Sequence, residues 1–276
     1  MQSVQLASQE GELAEIEVLS SDDPGEFTEI WYDLADEDHF WMRWRFAALT
    51  RELSRLGIDT SLPMQGLDIG CGHGAVLRQF SASTAWNIDG CDLNRAALSV
   101  ISNHKGRVLF YNIHDRKPGF FQKYDFLLLL DVIEHIKEPK AFIQSAAYHL
   151  KPGGYVFVNV PALQSLYSRY DAVVGHYRRY DEGLLRAQLS EGGLEVCSLR
   201  YWGITMVPLA LARKLYVTRM TEPTKVVKAG FKPPSHVTAA VLSALGMIEN
   251  KLSFRQPIGT SLLAVARSAP AHLRTS

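Results

Sequence analysis

The pattern of apolar and polar positions changes period along the chain, and these changes predict its elements. Between residues 29 and 56 large apolar residues recur every three to four positions, which predicts one or two amphipathic helices with Gly57 as a C-cap. Beyond residue 64, short apolar runs alternate with helical patterns, as in a parallel βαβ sheet. The run YDFLLLLDVI, Tyr124 to Ile133, is apolar on both faces, which is typical of a central strand.

Seven strands are predicted, with helices between them and no simple βαβ crossover joining the last two. The predicted strands span residues 65–69, 86–93, 107–113, 124–133, 155–161, 194–202 and 259–267. The helices predicted between these strands span residues 73–82, 94–104, 139–150 and 181–191, and KPGG is predicted to form a turn at 151–154. The chain then divides into a flexible acidic arm, 1–28, and one domain, 29–276, with a helical cap, 29–60, and a helical insertion, 201–256, whose helices are expected at 204–217 and 237–247.

Charge is distributed unevenly, although the formal net charge is zero. Residues 1–42 carry twelve acids and no Lys or Arg, whereas residues 205–276 carry ten Lys or Arg against two acids, Glu222 and Glu249. The zero balance gives no global attraction to nucleic acid, so none is expected as a partner. Three cysteines without CxxC or zinc spacing, and the lack of a leader pattern, predict a reduced, cytoplasmic setting. The most apolar segment, 201–212, is too short to span a bilayer.

Three glycines stand in the stretch GLDIGCGHGAVL, Gly66 to Leu77, between a predicted strand and a predicted helix. Such a turn lets the backbone approach a ligand at the carboxyl ends of parallel strands. A phosphate-binding P-loop is excluded because Ala-Val-Leu follows Gly74 in place of Lys-Ser/Thr. The spacing from Gly70 to Ala75 is also the dinucleotide fingerprint, so the glycines alone leave both NAD and another nucleoside open. A packing turn is the alternative without a ligand.

Two acids discriminate between these ligands. Asp68 precedes the glycines, where it would repel a pyrophosphate but attract an ammonium or sulfonium group. Asp92 closes the second strand, in GCDLN, where a carboxylate can accept hydrogen bonds from both ribose hydroxyls. The two acids and the turn together indicate a nucleoside with a positively charged tail.

In combination, the motifs LDIGCGHG, GCDLN, YDFLLLLDVIEHI and LKPGGYVFVNVP resemble those of class I S-adenosylmethionine-dependent methyltransferases. The resemblance covers about residues 60–203 and 260–267. It implies an α/β, Rossmann-like fold with a seven-stranded sheet of order 3-2-1-4-5-7-6, the last strand antiparallel and helices on both faces. It also implies S-adenosyl-L-methionine as the cofactor, with Asp92 on the ribose and a polar residue within 112–115 beside the adenine. The predicted cofactor-binding residues are Asp68, Gly70, Cys71, Gly72, Asp92, Leu93, Asn112 and Asp131.

The motif DVIEHI places Asp131, Glu134 and His135 within one helical turn, where they can converge on a metal or an acceptor. It looks like the corresponding phrase of ubiquinone-biosynthesis O-methyltransferases, in which such residues can hold a divalent ion. Three ligands are few, and Asp131 stands where that family would have Glu. No metal site is therefore assigned, and a helix cap with a solvated Glu134 and a His135 facing the cleft is preferred to a divalent ion.

The stretch DAVVGHYRRYD, Asp171 to Asp181, follows the fifth predicted strand at the edge where this fold receives its acceptor. A neutral His could take a proton from an acceptor hydroxyl, and Arg could bind a carboxylate or phosphate through two hydrogen bonds. The alternative is a solvated loop with an Arg stacked on a Tyr. The predicted catalytic residues are His135, His176, Tyr177 and Arg179.

The predicted function is S-adenosylmethionine-dependent transfer of a methyl group to a small-molecule or lipid-linked acceptor. An oxygen atom of the acceptor is the preferred methylation site. An NAD(P)-dependent oxidoreductase is one alternative, disfavoured by Asp68, and a donor-binding partner protein without catalysis is another. The apolar and basic insertion, 201–256, suits a peripheral contact with acidic lipid. A lid or a homodimer face explains the same composition. Cytoplasmic localisation is expected in every case, and membrane association only if the insertion contacts lipid.

Overall fold

An eight-stranded mixed sheet forms the centre of the computed structural model, which describes residues 13–21, 40–231, 236–251 and 255–269. The strands are β1 (Ile16–Val18), β2 (Gln65–Ile69), β3 (Asn87–Asp92), β4 (Val108–Phe110), β5 (Tyr124–Leu130), β6 (Leu150–Pro161), β7 (Leu194–Trp202) and β8 (Ser261–Ser268). Their order is β1-β4-β3-β2-β5-β6-β8-β7. Strand β8 is antiparallel to both of its neighbours, and the other pairings are parallel.

Without β1, this order is the predicted 3-2-1-4-5-7-6 arrangement, so the predicted fold class is confirmed. Nine α-helices surround the sheet in the described part of the chain. They are α1 (Phe40–Arg55), α2 (Ala75–Ser83), α3 (Arg95–Leu98), α4 (Pro139–Tyr148), α5 (Arg169–Val173), α6 (Glu182–Glu191), α7 (Val207–Val217), α8 (Pro223–Phe231) and α9 (His236–Lys251).

Strand β1 is the main departure from the prediction, because it lies within the segment expected to be a flexible arm. Ile16 pairs with Val108 and Val18 with Phe110, which adds a short parallel strand at the sheet edge. Acids on both sides of Ile16 hide the strand pattern, and pairing with β4 compensates for its weak burial. For these residues the prediction of a flexible arm is wrong. Residues 1–12 and 22–39 lie outside the described residues, so the domain bounds stay predictions.

Three local predictions are corrected as well. Helix α3 ends at Leu98 instead of residue 104, because the backbone of Ser102 pairs with that of Leu13 in an isolated bridge. The predicted KPGG turn is part of β6, where an irregularity in the register with β5 absorbs the extra residues. Helix α8 occupies a part of the insertion that was expected to connect two helices.

Two apolar layers hold the helices against the sheet. Alternate residues of β5 face opposite sides, so Leu127 and Leu129 pack with α4 and α6, whereas Phe126 and Leu128 pack with α1 and α2. A third, smaller cluster joins α5, α7 and α8 through Tyr170, Val217 and Val226. Burial on both faces makes the sheet rigid, and its carboxyl edge is therefore a fixed platform for polar side chains.

No helix in the described parts of the chain is both long and apolar enough to cross a membrane.

Candidate active site

The glycine turn after β2 has the geometry that the motif predicts. Gly70, Gly72 and Gly74 all have positive φ, at 77°, 55° and 78°, a backbone region that other residues enter at a steric cost. The Gly70 N–H donates to the carbonyl of Cys91 over 2.8 Å, which ties the turn to β3. A Cβ at Gly70 would lie 2.8 Å from Cγ2 of Val132. The turn is therefore held close to β3 and to the segment that follows β5.

Asp68 and Asp92 lie on either side of this turn, and both are buried. Burial raises the pKa of Asp68 to about 7, an effect that Arg45 opposes and Asp92 reinforces. The Asp92 carboxylate accepts the N–H of Gly72 through Oδ2 and that of Asn94 through Oδ1, both over 2.9 Å. Each oxygen keeps a further lone pair, so Asp92 can still accept two ligand hydroxyls.

Cys71 and Leu93 complete the two strand ends. The Cys71 N–H donates to the Cys91 carbonyl over 3.1 Å. Burial is the main cause of the raised pKa of the Cys71 thiol. The side chain is therefore neutral and offers an apolar surface to a ligand. Leu93 is half-buried directly after Asp92. Both residues stand where a nucleoside held by Asp92 would pass.

The end of β4 is covered by the chain near β1. The Asn112 N–H donates to Oγ of Ser20 over 2.8 Å, and that hydroxyl donates to Oδ2 of Asp115 over 2.6 Å. The Asn112 side chain accepts the N–H of His114 over 3.0 Å. The predicted adenine side of the site is thus bordered by Ser20, which sequence reasoning missed because its segment was expected to be flexible.

Asp131, after β5, is fixed by two hydrogen bonds. Its Oδ1 accepts Nδ2 of Asn159 over 2.6 Å, and its Oδ2 accepts Nη1 of Arg45 over 2.6 Å. Its φ is 62°, a left-handed conformation that Asp tolerates better than most residues. The side chain of Arg45 is 9% exposed, so α1 brings a buried cation to the donor side of the site.

Arg45 was not predicted as a site residue. Its sequence signal is a cation within the apolar face of a helix, flanked by Trp44 and followed by Leu49, both buried. Such a position needs an anionic partner, and only the folded structure shows that this partner is the half-buried Asp131.

Glu134, His135 and His176 form a compact cluster on the acceptor side. Each offers one ligand atom, and these atoms lie within 4.8 Å of one another. The Glu134 side chain is fully buried, and both of its carboxylate oxygens lack a hydrogen-bond partner among the described residues. Burial, reinforced by Asp131, raises the pKa of Glu134 well above its usual range. The expectation of a solvated Glu134 is therefore wrong.

The two histidines of this cluster are oriented by their neighbours. Burial and the nearby His176 lower the pKa of His135 to about 3, so its ring is neutral. The ring centroids of His135 and His176 are 4.7 Å apart. Nδ1 of His176 lies 3.0 Å from Oδ1 of Asp171, so Nδ1 carries an N–H, and in the neutral form of the ring the lone pair is on Nε2. Asp131, expected in this cluster, is instead bound to Arg45 and Asn159.

Asp171 is a buried anchor that sequence reasoning did not select. Its Oδ2 accepts the N–H and the hydroxyl of Ser168, and its Oδ1 accepts Nε of Arg179 over 2.7 Å. Burial raises its pKa, but His176 and Arg179 outweigh this and lower it to about 2. Arg179 also donates through Nη1 to the Ala162 carbonyl. The guanidinium predicted to bind an acceptor is thus engaged within the protein.

Tyr177 occupies a different environment from His176. Its side chain is exposed, and its N–H donates to the Glu134 carbonyl over 2.8 Å. The backbone of Tyr177 therefore ties the segment after α5 to the DVIEHI motif. The catalytic roles predicted for Tyr177 and Arg179 stay predictions.

A mostly parallel sheet with a glycine turn between two buried acids is typical of the Rossmann-like, nucleoside-binding class of protein. Comparison with protein families specifies the class further, since a family described as a methyltransferase domain matches residues 41–199. The chain belongs to this methyltransferase-domain family, and the predicted resemblance to class I S-adenosylmethionine-dependent methyltransferases is confirmed.

Curated relatives share part of their length with this chain. The ubiquinone biosynthesis O-methyltransferase of Ralstonia nicotianae is 31% identical over 156 residues, which cover 49% of this chain and 60% of the relative. The protein of the same name from Burkholderia vietnamiensis is 34% identical over 134 residues, covering 44% of this chain and 56% of the relative. The chain thus spans little more than half the length of these relatives.

A solved structure extends the comparison of folds. The [4+2]-cyclase SpnF has a TM-score of 0.54 at 17% identity, covering 86% of each chain. This likeness supports the fold alone, and the name of SpnF, a cyclase, illustrates that one fold serves different chemistry.

Proposed function

We propose that this protein transfers the methyl group of S-adenosyl-L-methionine to a hydroxyl of a small-molecule or lipid-linked acceptor. The observation that carries the proposal is the pair of buried acids, Asp68 and Asp92, on either side of the Gly70–Gly74 turn. Family membership and the O-methyltransferase relatives support the same reaction.

The charges around the turn match the two ends of this donor. The adenosine ribose would bind the remaining lone pairs of Asp92, while the glycine backbone gives it room. The methionine end carries an ammonium, a sulfonium and a carboxylate. Asp68 would attract the cationic groups, and Arg45 supplies a positive charge for the carboxylate. Asp131, bound to Arg45, holds that guanidinium in position.

Donor binding is expected to depend on the protonation of Asp68. Because its pKa in the protein without ligand is about 7, the carboxyl is mostly neutral below that pH and cannot pair with a cation. Affinity should therefore fall by up to about tenfold for each pH unit below 7. Titration calorimetry between about pH 5.5 and pH 8 measures this effect. In Asp68→Asn the slope should vanish, and an identical slope in that variant would contradict the assignment.

The proposal as a whole is tested by calorimetric titration with S-adenosyl-L-methionine, its demethylated product and NAD. Native protein should bind the first two, and Asp92→Ala should weaken both by more than about tenfold because two ribose hydrogen bonds are lost. Asp125→Ala serves as the control, because Asp125 is a strand acid near the start of β5, at the end of the strands away from the glycine turn. Binding of NAD in preference to the donor would instead support an oxidoreductase.

The acceptor side favours a cation near the reacting hydroxyl. Burial without a partner raises the pKa of Glu134, so its side chain is a neutral acid until a cation stabilises the charged form. Glu134 also lies against two imidazoles whose nitrogens can act as ligands. One carboxylate and two histidines suit a divalent transition metal, and the Asp171–His176 hydrogen bond is the kind of support that metal-binding histidines receive. These residues therefore fit a metal, which when bound would lower the pKa of an acceptor hydroxyl.

Without a metal, the same arrangement makes His176 the general base. Asp171 holds Nδ1 protonated, so Nε2 can accept the proton of the acceptor hydroxyl. Methyl transfer itself is an in-line displacement, for which a correctly placed nucleophile provides much of the rate. A donor-binding protein without catalysis remains a second candidate, and absence of transfer to any hydroxyl acceptor despite donor binding would favour it.

A further inference from the structure

Asn159, in β6, uses both ends of its side-chain amide. The residue is fully buried. Its Nδ2 donates to Oδ1 of Asp131 over 2.6 Å, while its Oδ1 accepts Nε1 of Trp202 over 2.9 Å. A carboxylate only accepts hydrogen bonds, and an indole N–H only donates. A flipped amide would place acceptor against acceptor and donor against donor, so the two partners fix the orientation of Asn159.

Asp131 is held by Asn159 through its backbone as well. The Asp131 N–H donates to the Asn159 carbonyl over 2.8 Å, at a residue whose φ of 62° is left-handed. A strained conformation of this kind persists only where the surroundings impose it. Because Asn159 engages Oδ1 of the carboxylate, Oδ2 is the oxygen that faces Nη1 of Arg45. Asn159 thus sets the direction from which the guanidinium is held.

Trp202 fixes the helix that carries Arg45. It is the last residue of β7, and its ring stacks on Trp41 with the centroids 4.6 Å apart, while the Trp44 ring lies 5.9 Å away. Trp41 and Trp44 both belong to α1 and precede Arg45 in the chain. Aromatic pairs at such distances stabilise beyond the burial of their area. The contacts therefore close a ring, from α1 through the ion pair and the Asn159 amide to β7 and back to α1.

We propose that Asn159 is a positioning residue for the amino-acid end of the donor and acts through Arg45, a role that rests on the proposed function. A guanidinium has five N–H groups, so Arg45 can bind Asp131 and a ligand carboxylate together. Through Asp131, Asn159 sets how that guanidinium points, and through Trp202 it sets where α1 holds it. The adenosine end relies on Asp92 and the glycine turn, which are not part of this ring of contacts.

Calorimetric titration of the full chain with two ligands tests this role. The demethylated product, S-adenosylhomocysteine, has both the adenosine and the amino-acid end, whereas methylthioadenosine has no amino-acid end. Native protein should bind both. Asn159→Leu removes both hydrogen bonds of the amide. It should weaken binding of the first ligand more than about tenfold, because one of these bonds is to a charged group, and binding of the second less than about twofold. A general loss of stability would weaken both alike.

Trp202→Phe makes a smaller change in the same ring of contacts. It removes the indole N–H that orients the amide but keeps an aromatic ring against Trp41. Binding of S-adenosylhomocysteine should weaken about threefold, and binding of methylthioadenosine should not change. Trp86→Phe is the matched control, because Trp86 is also buried and its Nε1 has no hydrogen-bond partner among the described residues. This control should leave both affinities unchanged.

The outcomes separate this role from the proposed function. If native protein binds both ligands and Asn159→Leu weakens neither, or weakens both by the same factor, the role of Asn159 is overturned and the proposed donor stands. If Asn159→Leu does not fold, Trp202→Phe decides, and an unchanged affinity for S-adenosylhomocysteine would overturn the role. Native protein that binds neither ligand would overturn the proposed function and this inference together.

Discussion

Asp171→Asn is expected to lower the free energy of unfolding by about 3–5 kcal/mol, the usual cost of removing one partner of a buried ion pair. The Asp171 side chain is fully buried and that of Arg179 is 5% exposed, so the guanidinium would lose its counter-charge in a site that water does not reach. Chemical denaturation of both proteins at neutral pH measures the difference.

The pH dependence gives this prediction a second readout. Asp171 has a pKa of about 2 in the folded protein and an ordinary value of 3.8. Its contribution to stability is therefore complete above about pH 4 and is lost as the pH falls towards 2. Asp171→Asn should lack this part of the acid destabilisation.

Two control variants separate the ion pair from general effects of mutation. Glu222→Gln breaks the exposed pair with Lys225 and should change stability by less than about 1 kcal/mol. Adding Arg179→Met to Asp171→Asn removes the uncompensated charge and should recover part of the loss. A double variant as unstable as the single one would show that the penalty does not come from the stranded guanidinium.

Glu134→Gln is expected to lower the affinity for Mn²⁺ or Zn²⁺ at least about a hundredfold, because an amide oxygen is neutral and a much weaker ligand than a carboxylate. Methyl transfer should fall by a similar factor if the cation acidifies the acceptor hydroxyl. Titration calorimetry of the protein treated with a chelator measures affinity, and turnover with and without the metal measures the dependence.

Glu138→Gln, an exposed acid four residues further along the chain, provides the matched control and should leave metal affinity unchanged. Failure of the native protein to bind either metal would refute the cation site. Transfer that survives chelation and is barely changed by Glu134→Gln would instead leave His176 as a base that acts without a metal.

Most of the sheet could be predicted because its strands carry strong local patterns. The run Tyr124–Leu130 is apolar on both faces. The glycines after Ile69 indicate a turn from local sequence alone, without any tertiary contact. Asp68 and Asp92 follow strand ends, so the parallel topology alone brings them together. Strand β1 could not be predicted in the same way, since Ile16 and Val18 form a strand only through their pairing with β4.

The acceptor side was less predictable because its geometry depends on contacts between distant segments. The motif around Asp131 suggested three neighbouring ligands, but Arg45 from α1 and Asn159 from β6 draw Asp131 away. His176 reaches Glu134 instead, held by Asp171 at a distance of five positions in the chain. The role of Arg179 was equally hard to predict, because no local sequence pattern shows that it pairs with the buried Asp171.

The pairing of Trp202 with Ser261 means that residues 203–260 leave the sheet and return to it at the same point. That excursion carries α7, α8 and α9, whereas Asp68, Asp92 and the glycine turn belong to strands on the other side of β6. The segment can thus be lengthened, shortened or exchanged without changing the register of β7 and β8. A graft of residues 203–260 between family members should therefore exchange α7, α8 and α9 as one unit while β7, β8 and the glycine turn stay in place.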